Sequence, residues 1–377
     1  MQAALVLTSI NNPVILNEYF ENFQKYDHLS EVQVFMIPDL KTPEQAYATC
    51  KGLKEKGFEV KCPSINEQVD FLKKVGFDPT LIPFNSDNRR NVGYLMAVAS
   101  GADFIISIDD DNYPTSDIDF FSEHALVGLS KKTVQNVVKA RSGWFNIMEL
   151  LEYDPPASIY ARGFPYWAKH KTNDYAENMR MELEIDVNAG LWLIDPDLDA
   201  ISWLVQPVKV HSFKGRSVSL DHSTWSPINT QNTSLSRDAV GAYYFLKMGY
   251  EIGGLSIDRF GDIFSGYFLE KCAKTLGRGI RFGTPIAEHK RNSHNYLQDA
   301  IAEFACIVIL EDVLRWLIEV ELTGSTYCET YIELSFALED FVEKMSGKLW
   351  GEVTKGYFHQ IAYYMRNWAE TVERINK

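Results

Sequence analysis

The stretch FIISIDDDN, residues 104–112, decides the expected fold. Residues 104–108 form an apolar run with few polar interruptions, which is typical of a strand buried on both faces. Asp109, Asp110 and Asp111 follow at the end of that strand. An acidic turn that caps the next element would account for such a triplet. Three adjacent carboxylates repel one another, however, and a bound Mg²⁺ or Mn²⁺ that holds a diphosphate is the simplest way to stabilise them.

Strand and helix patterns alternate on the N-terminal side of this stretch. The β-type runs are residues 4–8, 32–37 and 58–61, with helices expected to start at Thr42-Pro43, at the Ser64/Glu67 capping box and near residue 87. Alternation of this kind predicts a mostly parallel α/β sheet with helices on both faces. Ligands of such sheets bind beyond the carboxyl ends of the strands, which is where the aspartate triplet lies.

From about residue 295 the pattern becomes helical, with helices expected over 297–322 and 331–345 and a last one near the C-terminus. The last helix carries an apolar stripe at spacings of three and four: Phe358, Ile361, Met365, Trp368, Val372 and Ile375. The stripe predicts packing on the rest of the chain, with an intersubunit contact as the alternative. We therefore expect an α/β domain over residues 1–293 and a helical bundle over 294–377, with a possible homo-oligomer through these helices.

Composition excludes several classes of protein. The 377 residues include 37 Lys+Arg and 51 Asp+Glu, and a net charge of −14 argues against a broad nucleic-acid surface. Five cysteines without a CxxC pair form neither a disulfide framework nor a structural zinc site. The N-terminus lacks a basic signal-peptide start, and residues 304–310, the longest apolar stretch near the C-terminus, fall far short of the ~20 residues of a membrane span. We expect a soluble, cytoplasmic protein without a transmembrane segment.

Five blocks of sequence, in order, resemble the reversibly glycosylated polypeptides, a family that includes the plant UDP-arabinopyranose mutases. The blocks are residues 108–111, 162–166, 190–200, 259–266 and the C-terminal 357–368. The similarity runs from roughly residue 85 to the C-terminus, and the first strands match only in type. It implies a GT-A-like, Rossmann-type fold, a nucleoside-diphosphate-sugar donor, which by the family's example is a UDP-sugar, and a divalent cation, usually Mn²⁺.

The resemblance also implies roles for individual residues. In GT-A enzymes the earlier acid tends to hold the ribose and the last binds the ion, so Asp109 and Asp110 are assigned to the nucleotide and Asp111 to the metal. His289 matches a histidine that completes the metal shell in many such enzymes, although a lone histidine is more often a satisfied core or surface residue. Asp262 falls where the family has an acid near the sugar, so it is a candidate catalytic residue, and a plain helix N-cap is the alternative.

Basic residues supply candidates for contacts with the donor phosphates. Lys290 and Arg291, directly after His289, could balance diphosphate charge that one metal ion does not cancel. Arg89 and Arg90, before the aspartate-rich strand, are candidates for phosphate or base contacts, and a solvated helix face explains them equally well.

The middle of the chain supplies candidates for the sugar side. Arg162 and Trp192 lie in blocks that carry the resemblance, and Asn232 lies in the polar loop 229–232. Trp192, Tyr166 and the loop 229–232 are expected to orient sugar hydroxyls.

One departure from the family concerns the expected activity. Shortly after the block that matches residues 162–166, the mutases have an arginine reported to carry the attached sugar, and Lys169 stands there in this chain. Lys169 is therefore, with Asp262, a candidate catalytic residue, but lysine does not reproduce guanidinium geometry. The substitution favours a glycosyltransferase that uses a separate carbohydrate or other hydroxyl acceptor.

Three alternatives to this glycosyltransferase remain. They are a self-glycosylating UDP-sugar mutase, a non-catalytic sugar-nucleotide-binding subunit and a nucleotidyltransferase. A nucleotidyltransferase is the weakest of these, because the segment after the first strand, residues 8–13, has neither glycine nor lysine.

Overall fold

The computed structural model describes residues 1–171, 175–292 and 294–377. The strands are β1 (Ala3–Ser9), β2 (Val32–Pro38), β3 (Glu59–Lys61), β4 (Phe104–Ile108), β5 (Asn112–Pro114), β6 (Thr133–Ala140), β7 (Leu151–Asp154), β8 (Tyr175–Leu183), β9 (Ile185–Ile194), β10 (Lys209–Phe213), β11 (Val218–Leu220), β12 (Asn232–Ser236), β13 (Tyr250–Ile252), β14 (Leu255–Ile257) and β15 (Gly279–His289). The helices are α1 (Ile15–Lys25), α2 (Glu44–Glu55), α3 (Ile65–Lys74), α4 (Arg90–Ala99), α5 (Phe120–Ala125), α6 (Ala200–Val205), α7 (Gly261–Thr275), α8 (Tyr296–Glu319), α9 (Tyr327–Lys344) and α10 (Glu352–Asn376).

The N-terminal part of the sheet follows the pattern expected from the sequence. Strands β3, β2, β1 and β4 lie side by side in that order and are all parallel. Helix α3 begins with the predicted capping box, in which Ser64 and Glu67 bond to each other's backbone N–H. Helix α2 differs slightly, because Pro43 occupies the N-cap position and the Thr42 hydroxyl donates instead to the backbone oxygen of Ser9.

The remainder of the sheet is mixed. Strand β12 is antiparallel to both β4 and β9, whereas β15 runs parallel to β9. The short strand β5 is antiparallel to β15, and this pairing sets Asn112 opposite His289. The prediction of an α/β sheet with a C-terminal helical region is therefore confirmed, with the purely parallel arrangement confined to the first four strands. The β5–β15 pairing has a direct consequence for the site, because it places Asp111, the residue before Asn112, beside the end of β15.

The three C-terminal helices α8, α9 and α10 occur where the sequence predicts them. The stripe on α10 packs inside the chain, as expected: five of its six members are fully buried, and Ile375 is partly buried. Trp368, in that stripe, donates from Nε1 to the backbone oxygen of Val240 at 2.7 Å. This burial leaves the stripe unavailable for the alternative, an intersubunit contact.

One hydrophobic core includes residues of the α4 face of the sheet, α7 and all three C-terminal helices, so it crosses the boundary expected near residue 293. A division into two domains stays a prediction. All five cysteines are free. Within the described ranges, the helices lack the combination of length and apolar character that crossing a membrane requires.

Candidate functional site

A cavity of about 470 Å³ lies at the carboxyl ends of β1, β2 and β4. Seven aspartates and four arginines line it, so the cavity is strongly polar. The structure brings eight of the predicted site residues together in its wall: Arg90, Asp109, Asp110, Asp111, Arg162, Asp262, His289 and Arg291. These residues come from five separate segments of the sequence, and the fold alone makes them neighbours.

The first two carboxylates of the triplet have fixed protein partners. Asp109 Oδ1 lies 2.5 Å from Nη2 of Arg90, which also donates from Nη1 to Ser107 Oγ at 2.9 Å. Asp110 Oδ2 accepts a hydrogen bond from Ser9 Oγ at 2.5 Å. Burial raises the pKa of Asp110 even though the hydrogen bond from Ser9 opposes this. Repulsion within the triplet is thus relieved in part by protein groups, whereas the sequence suggested a cation alone.

The third carboxylate faces a histidine. Asp111 Oδ2 lies 3.5 Å from Nε2 of His289, and Nδ1 of the same ring lies 2.6 Å from the backbone oxygen of Asp195. A carbonyl oxygen only accepts, so Nδ1 carries a proton. Nε2 can then face a carboxylate either as the second N–H of an imidazolium or as a ligand of a shared cation. Burial alone would lower the pKa of His289, but the hydrogen bond and charge of Asp111 raise it above its ordinary value.

Asp111 and His289 suit a divalent ion that arrives with a diphosphate. One carboxylate oxygen and one imidazole nitrogen would leave most positions of Mg²⁺ or Mn²⁺ to phosphate oxygens and water, which is how Mg²⁺ usually binds. In the part of the chain that the structure describes, no group of three or more His, Cys, Asp or Glu residues is placed to hold a metal by itself. The donor set therefore fits a metal completed by substrate and not a closed protein cage.

A buried ion-pair triad forms another wall of the cavity. Arg162 binds Asp262 through two hydrogen bonds, Nη2 to Oδ2 at 2.6 Å and Nη1 to Oδ1 at 3.1 Å. Its Nε donates to Asp197 Oδ1 at 2.9 Å, and Nη1 also donates to the backbone oxygen of Arg259. Burial would raise the pKa of Asp197, but the positive charge of Arg162 lowers it below its usual value. The triad fixes Asp262 in the cavity wall and carries one net negative charge.

Asp262 does not cap the helix that contains it. Helix α7 begins at Gly261 with Phe260 at the N-cap position, and its start has no side-chain cap hydrogen bond. The carboxylate of Asp262 is bound to Arg162 instead, so the alternative of a plain N-cap is wrong. Burial raises the pKa of Asp262 in spite of the opposing charge of Arg162.

Arg291 differs from the other three cavity arginines, each of which pairs with a carboxylate. Its guanidinium carbon lies 5.2 Å from the ring centre of Trp203 and 5.6 Å from that of Tyr296. Among the described residues it forms no side-chain ion pair, and Nη1 is buried without a hydrogen-bond partner. These two rings stack on each other, 5.7 Å apart, and the guanidinium lies against the pair. A guanidinium held in this way, with an unused donor, suits a phosphate ligand.

Two predicted phosphate contacts lie elsewhere. The Lys290 ammonium is half exposed, 3.0 Å from the Glu288 carboxylate, and does not line the cavity. Arg89 is fully buried, donates to the side chain of Gln68 and lies over the ring of Phe84, so it ties α3 to the segment before α4. Its neighbour Arg90 reaches the cavity instead, because a 3₁₀ turn over Asp87–Arg89 rotates the two side chains apart.

Three of the predicted sugar-side residues, Tyr166, Trp192 and Asn232, are also outside the cavity wall, whereas Arg162 is in it. Trp192 on β9 and Asn232 on β12 are buried, and Asn232 Oδ1 accepts from His124 Nε2 at 2.9 Å. The Lys169 ammonium lies 3.6 Å from Asp199 and 3.4 Å from the centre of the Tyr166 ring, and it does not line the cavity either.

Sequence reasoning missed several cavity residues. Asp197 and Arg259 lie in blocks that carry the family resemblance, which was the available signal, but nothing local in the sequence shows that both meet Arg162. Gln231, in the loop expected to bind sugar, lines the cavity with a buried Oε1 that has no hydrogen-bond partner in the described structure. It is therefore better placed for ligand contact than Asn232, the predicted member of that loop.

Comparison with known proteins identifies the family. A model of the family described as reversibly glycosylated polypeptide matches residues 5–377, and the chain belongs to this family. The resemblance inferred from five sequence blocks is thereby confirmed. Similar proteins include UDP-arabinopyranose mutase 1 of Arabidopsis thaliana, 26% identical over 81% of this chain and 78% of that protein, and probable UDP-arabinopyranose mutase 1 of Zea mays, 25% identical over 99% and 90%.

Solved glycosyltransferase structures show a distant likeness. Glucosyl-3-phosphoglycerate synthase of Mycobacterium tuberculosis, in complex with Mn²⁺ and UDP-glucose, covers 86% of this chain and 81% of its own, with 9% identity and a TM-score of 0.39. A mannosyltransferase of Pyrobaculum calidifontis, in complex with GDP-Man and Mn²⁺, covers 100% and 86%, with 10% identity and a TM-score of 0.38.

Proposed function

We propose that this chain is a divalent-metal-dependent glycosyltransferase that moves a sugar from a nucleoside-diphosphate sugar, of the UDP-sugar class, to a separate hydroxyl acceptor. The observation that carries the proposal is the pairing of Asp111 with His289 in a cavity that also contains an arginine, Arg291, without a carboxylate partner in the described chain. A cation ligand pair beside a free guanidinium is the combination that a diphosphate needs. A cytoplasmic location, expected from the cysteine pattern, is part of the same proposal.

The residues of the cavity divide into two roles toward the donor. Asp111 and His289 would hold Mn²⁺ or Mg²⁺, which when bound supplies positive charge to the leaving diphosphate. Arg291 neutralises a further phosphate charge, and its position against the stacked rings of Trp203 and Tyr296 fixes the guanidinium before the donor arrives. A cation fixed in advance costs no reorganisation during the reaction.

Asp262 acts on the sugar side of the proposal. Both of its oxygens already accept hydrogen bonds from Arg162, which limits its use as a free proton acceptor. A carboxylate held in this way is well suited to stabilise positive charge that develops on the sugar ring. The geometry therefore favours an electrostatic role for Asp262 over the alternative role of a general base toward the acceptor.

A mutase is the second candidate, and the names of the similar plant proteins favour it. Self-glycosylation at Lys169, the position suggested by the sequence, has no support from its placement, since its ammonium lies against Tyr166 and Asp199 and outside the cavity wall. This placement is one reason to prefer transfer to a separate acceptor.

One experiment distinguishes these functions. The full chain is incubated with UDP-glucose, UDP-arabinopyranose or GDP-mannose, with and without Mn²⁺, and the nucleotides are separated by anion-exchange chromatography while the protein is weighed by intact mass spectrometry. Metal-dependent release of the nucleoside diphosphate supports transfer. Conversion of UDP-arabinopyranose to its furanose isomer without net UDP release, together with a protein heavier by one sugar, indicates the mutase. Binding of UDP is measured in parallel by isothermal titration calorimetry. Saturable binding without turnover indicates a non-catalytic subunit, and absence of metal-dependent binding overturns the proposed donor site.

A further inference from the structure

A buried glutamate of helix α8 holds two segments of the cavity wall. Glu303 is 1% exposed, and its side chain lies outside the lining of the cavity. Its Oε1 accepts a hydrogen bond from Nε of Arg259 at 3.1 Å, and its Oε2 accepts one from the backbone N–H of Ala200 at 2.7 Å. Burial of a carboxylate costs free energy unless its oxygens have partners, and here both oxygens do. One side chain therefore ties together two segments that are far apart in the sequence.

These two segments carry the aspartates of the buried triad. Asp197 lies three residues before Ala200, and Asp262 lies three residues after Arg259. Both carboxylates bind the same guanidinium, the one at the centre of the triad. The glutamate of α8 thus holds the backbone next to each of the two acids, and it does so from outside the cavity.

The backbone of Arg259 is part of the same arrangement. Arg259 has a φ of 60°, a left-handed conformation that is strained for a residue other than glycine and persists where the surrounding contacts impose it. In this conformation its carbonyl oxygen accepts a hydrogen bond from Nη1 of Arg162. Its side chain is held by Glu303 and by Asp299, whose Oδ1 lies 3.3 Å from Arg259 Nη1. The contacts with α8 therefore keep a strained carbonyl where it meets the triad.

We propose that Glu303 is a positioning residue: by holding both segments, it sets the place of the Asp262 carboxylate relative to the donor sugar. The kinetic part of this inference rests on the proposed function, in which Asp262 stabilises positive charge on the sugar ring. A reacting or charge-stabilising group that is misplaced by about 1 Å can cost about 100-fold in rate. A residue of the C-terminal helices thus controls turnover without contact with the substrate.

Steady-state kinetics of Glu303→Gln in the full chain test the role in turnover. The amide has one acceptor oxygen in place of two, so only one of the two segments can still be held. We expect kcat to fall about 10- to 100-fold, with the donor KM within about twofold of native because the metal ligands and Arg291 are unchanged. The matched control is Glu339→Gln, which breaks an ion pair with Arg366 outside the cavity wall and should keep native kcat. A native kcat in Glu303→Gln, or equal losses in the two variants, overturns the proposal.

A double-mutant cycle separates positioning from a general loss of stability. Arg259→Ala should also lower kcat, and the two substitutions together should cost less than the product of the single losses, because both remove the same link. Losses that multiply would show that Glu303 and Arg259 act independently and would overturn the proposal. If Glu303→Gln fails to fold, Arg259→Ala tests the link from its other side, and a native kcat in that variant contradicts it.

A crystal structure of Glu303→Gln gives a result that does not depend on activity. In the native chain, Arg162 Nε lies 2.9 Å from Asp197 Oδ1 and Nη2 lies 2.6 Å from Asp262 Oδ2. We expect one of these two contacts to lengthen beyond hydrogen-bond distance in the variant, and unchanged contacts overturn the inference even if turnover falls. A lengthened contact in a chain whose native form turns over no sugar nucleotide rejects the proposed function but supports the link between Glu303 and the triad.

Discussion

The cavity and a second polar cluster within the fold each contain a buried histidine, yet the two rings have opposite properties. In the cavity, Asp111 raises the pKa of His289. In the second cluster, burial lowers the pKa of His124 to about 4. His124 is fully enclosed, with Nε2 2.9 Å from Asn232 Oδ1 and Nδ1 2.9 Å from Ser234 Oγ. An amide and a hydroxyl satisfy a neutral ring, whereas a carboxylate favours a charged one.

This difference separates a binding site from a structural cluster. The ring of His124 is satisfied on both nitrogens, and Asn188 links it to Arg281, whose Nη1 lies 2.5 Å from Asn188 Oδ1. The cluster closes on itself and leaves no donor or acceptor of the His124 ring for a ligand. Around His289, by contrast, the partner is a charged oxygen beside an open cavity. A buried histidine therefore indicates a site when its partner is ionic and one side is open, and burial alone does not.

Loss of the third carboxylate should have the largest effect. Asp111→Ala removes the candidate metal ligand, and we expect sugar-nucleotide turnover to fall by about 1000-fold with native secondary structure retained. Turnover is measured as nucleoside diphosphate or isomerised sugar nucleotide formed per minute with Mn²⁺. Chelation with EDTA should abolish the same activity, and added Mn²⁺ should restore it. Asp117→Ala, at an exposed position shortly after the triplet, is the control and should retain native turnover; full activity in Asp111→Ala would reject the metal site.

The closed cluster should affect stability and not turnover. Asn232→Ala leaves His124 Nε2 without its acceptor inside the protein, so we expect the free energy of unfolding to fall by about 2–4 kcal/mol, measured by urea denaturation. Turnover per folded molecule should stay within about twofold of native. The control is Asn367→Ala, whose amide donates to the backbone of its own helix at Tyr363 and has no other hydrogen bond in the described ranges; it should cost under about 0.5 kcal/mol. If Asn232→Ala instead raised the KM for the donor and kept native stability, the original prediction that Asn232 contacts the sugar would be supported.

The pH dependence of stability tests the same cluster. The folded protein keeps His124 neutral down to about pH 4, whereas the unfolded chain protonates it near pH 6.5. Its contribution is therefore complete above pH 6.5 and is lost as the pH falls toward 4, by up to about 3 kcal/mol. The measurement is urea unfolding of the native chain and of His124→Gln at several pH values. Their difference in unfolding free energy should shrink with acidification, and a constant difference would refute the enclosed neutral ring.

Two adjacent basic residues give the smallest expected effect. Arg291→Ala removes the cavity guanidinium that has no carboxylate partner among the described residues, and we expect the donor KM to rise about tenfold, as for the loss of one charged hydrogen bond. Lys290→Ala, its matched neighbour, should change KM by less than about twofold, because its ammonium pairs with Glu288 outside the cavity. Steady-state kinetics on both variants decides the point. Equal effects would show that the two side chains share the phosphate.

Local patterns explain what the sequence predicted correctly. Strands β1 and β4 are apolar runs with clear ends, α3 has a capping box, and the α10 stripe has a helical period. Each of these signals lies within a few residues, so it can be read without knowledge of the fold. The aspartate triplet was placed at the sheet edge for the same reason: it directly follows a strand.

Partners that are distant in sequence account for what could not be predicted. Arg162 meets Asp197 and Asp262 across 35 and 100 residues, and no spacing rule relates them. The choice between Arg89 and Arg90 depends on a single 3₁₀ turn. The polar loop 229–232 predicts that Asn232 contacts the sugar. In the structure Asn232 begins β12, which lies between β4 and β9, and its side chain points toward His124.

The bridge that Arg162 makes between two acids also constrains how this family can change over time. Replacement of Arg162 alone by a neutral residue would leave two buried carboxylates without a positively charged partner. Loss of one aspartate would leave the other as the remaining carboxylate partner of the guanidinium, with water next to the unused N–H groups. Variants in which only part of the triad is replaced should therefore be less stable, so the three positions should be kept or replaced together. Aligned family members that keep the aspartates of positions 197 and 262 should keep a guanidinium at position 162 as well.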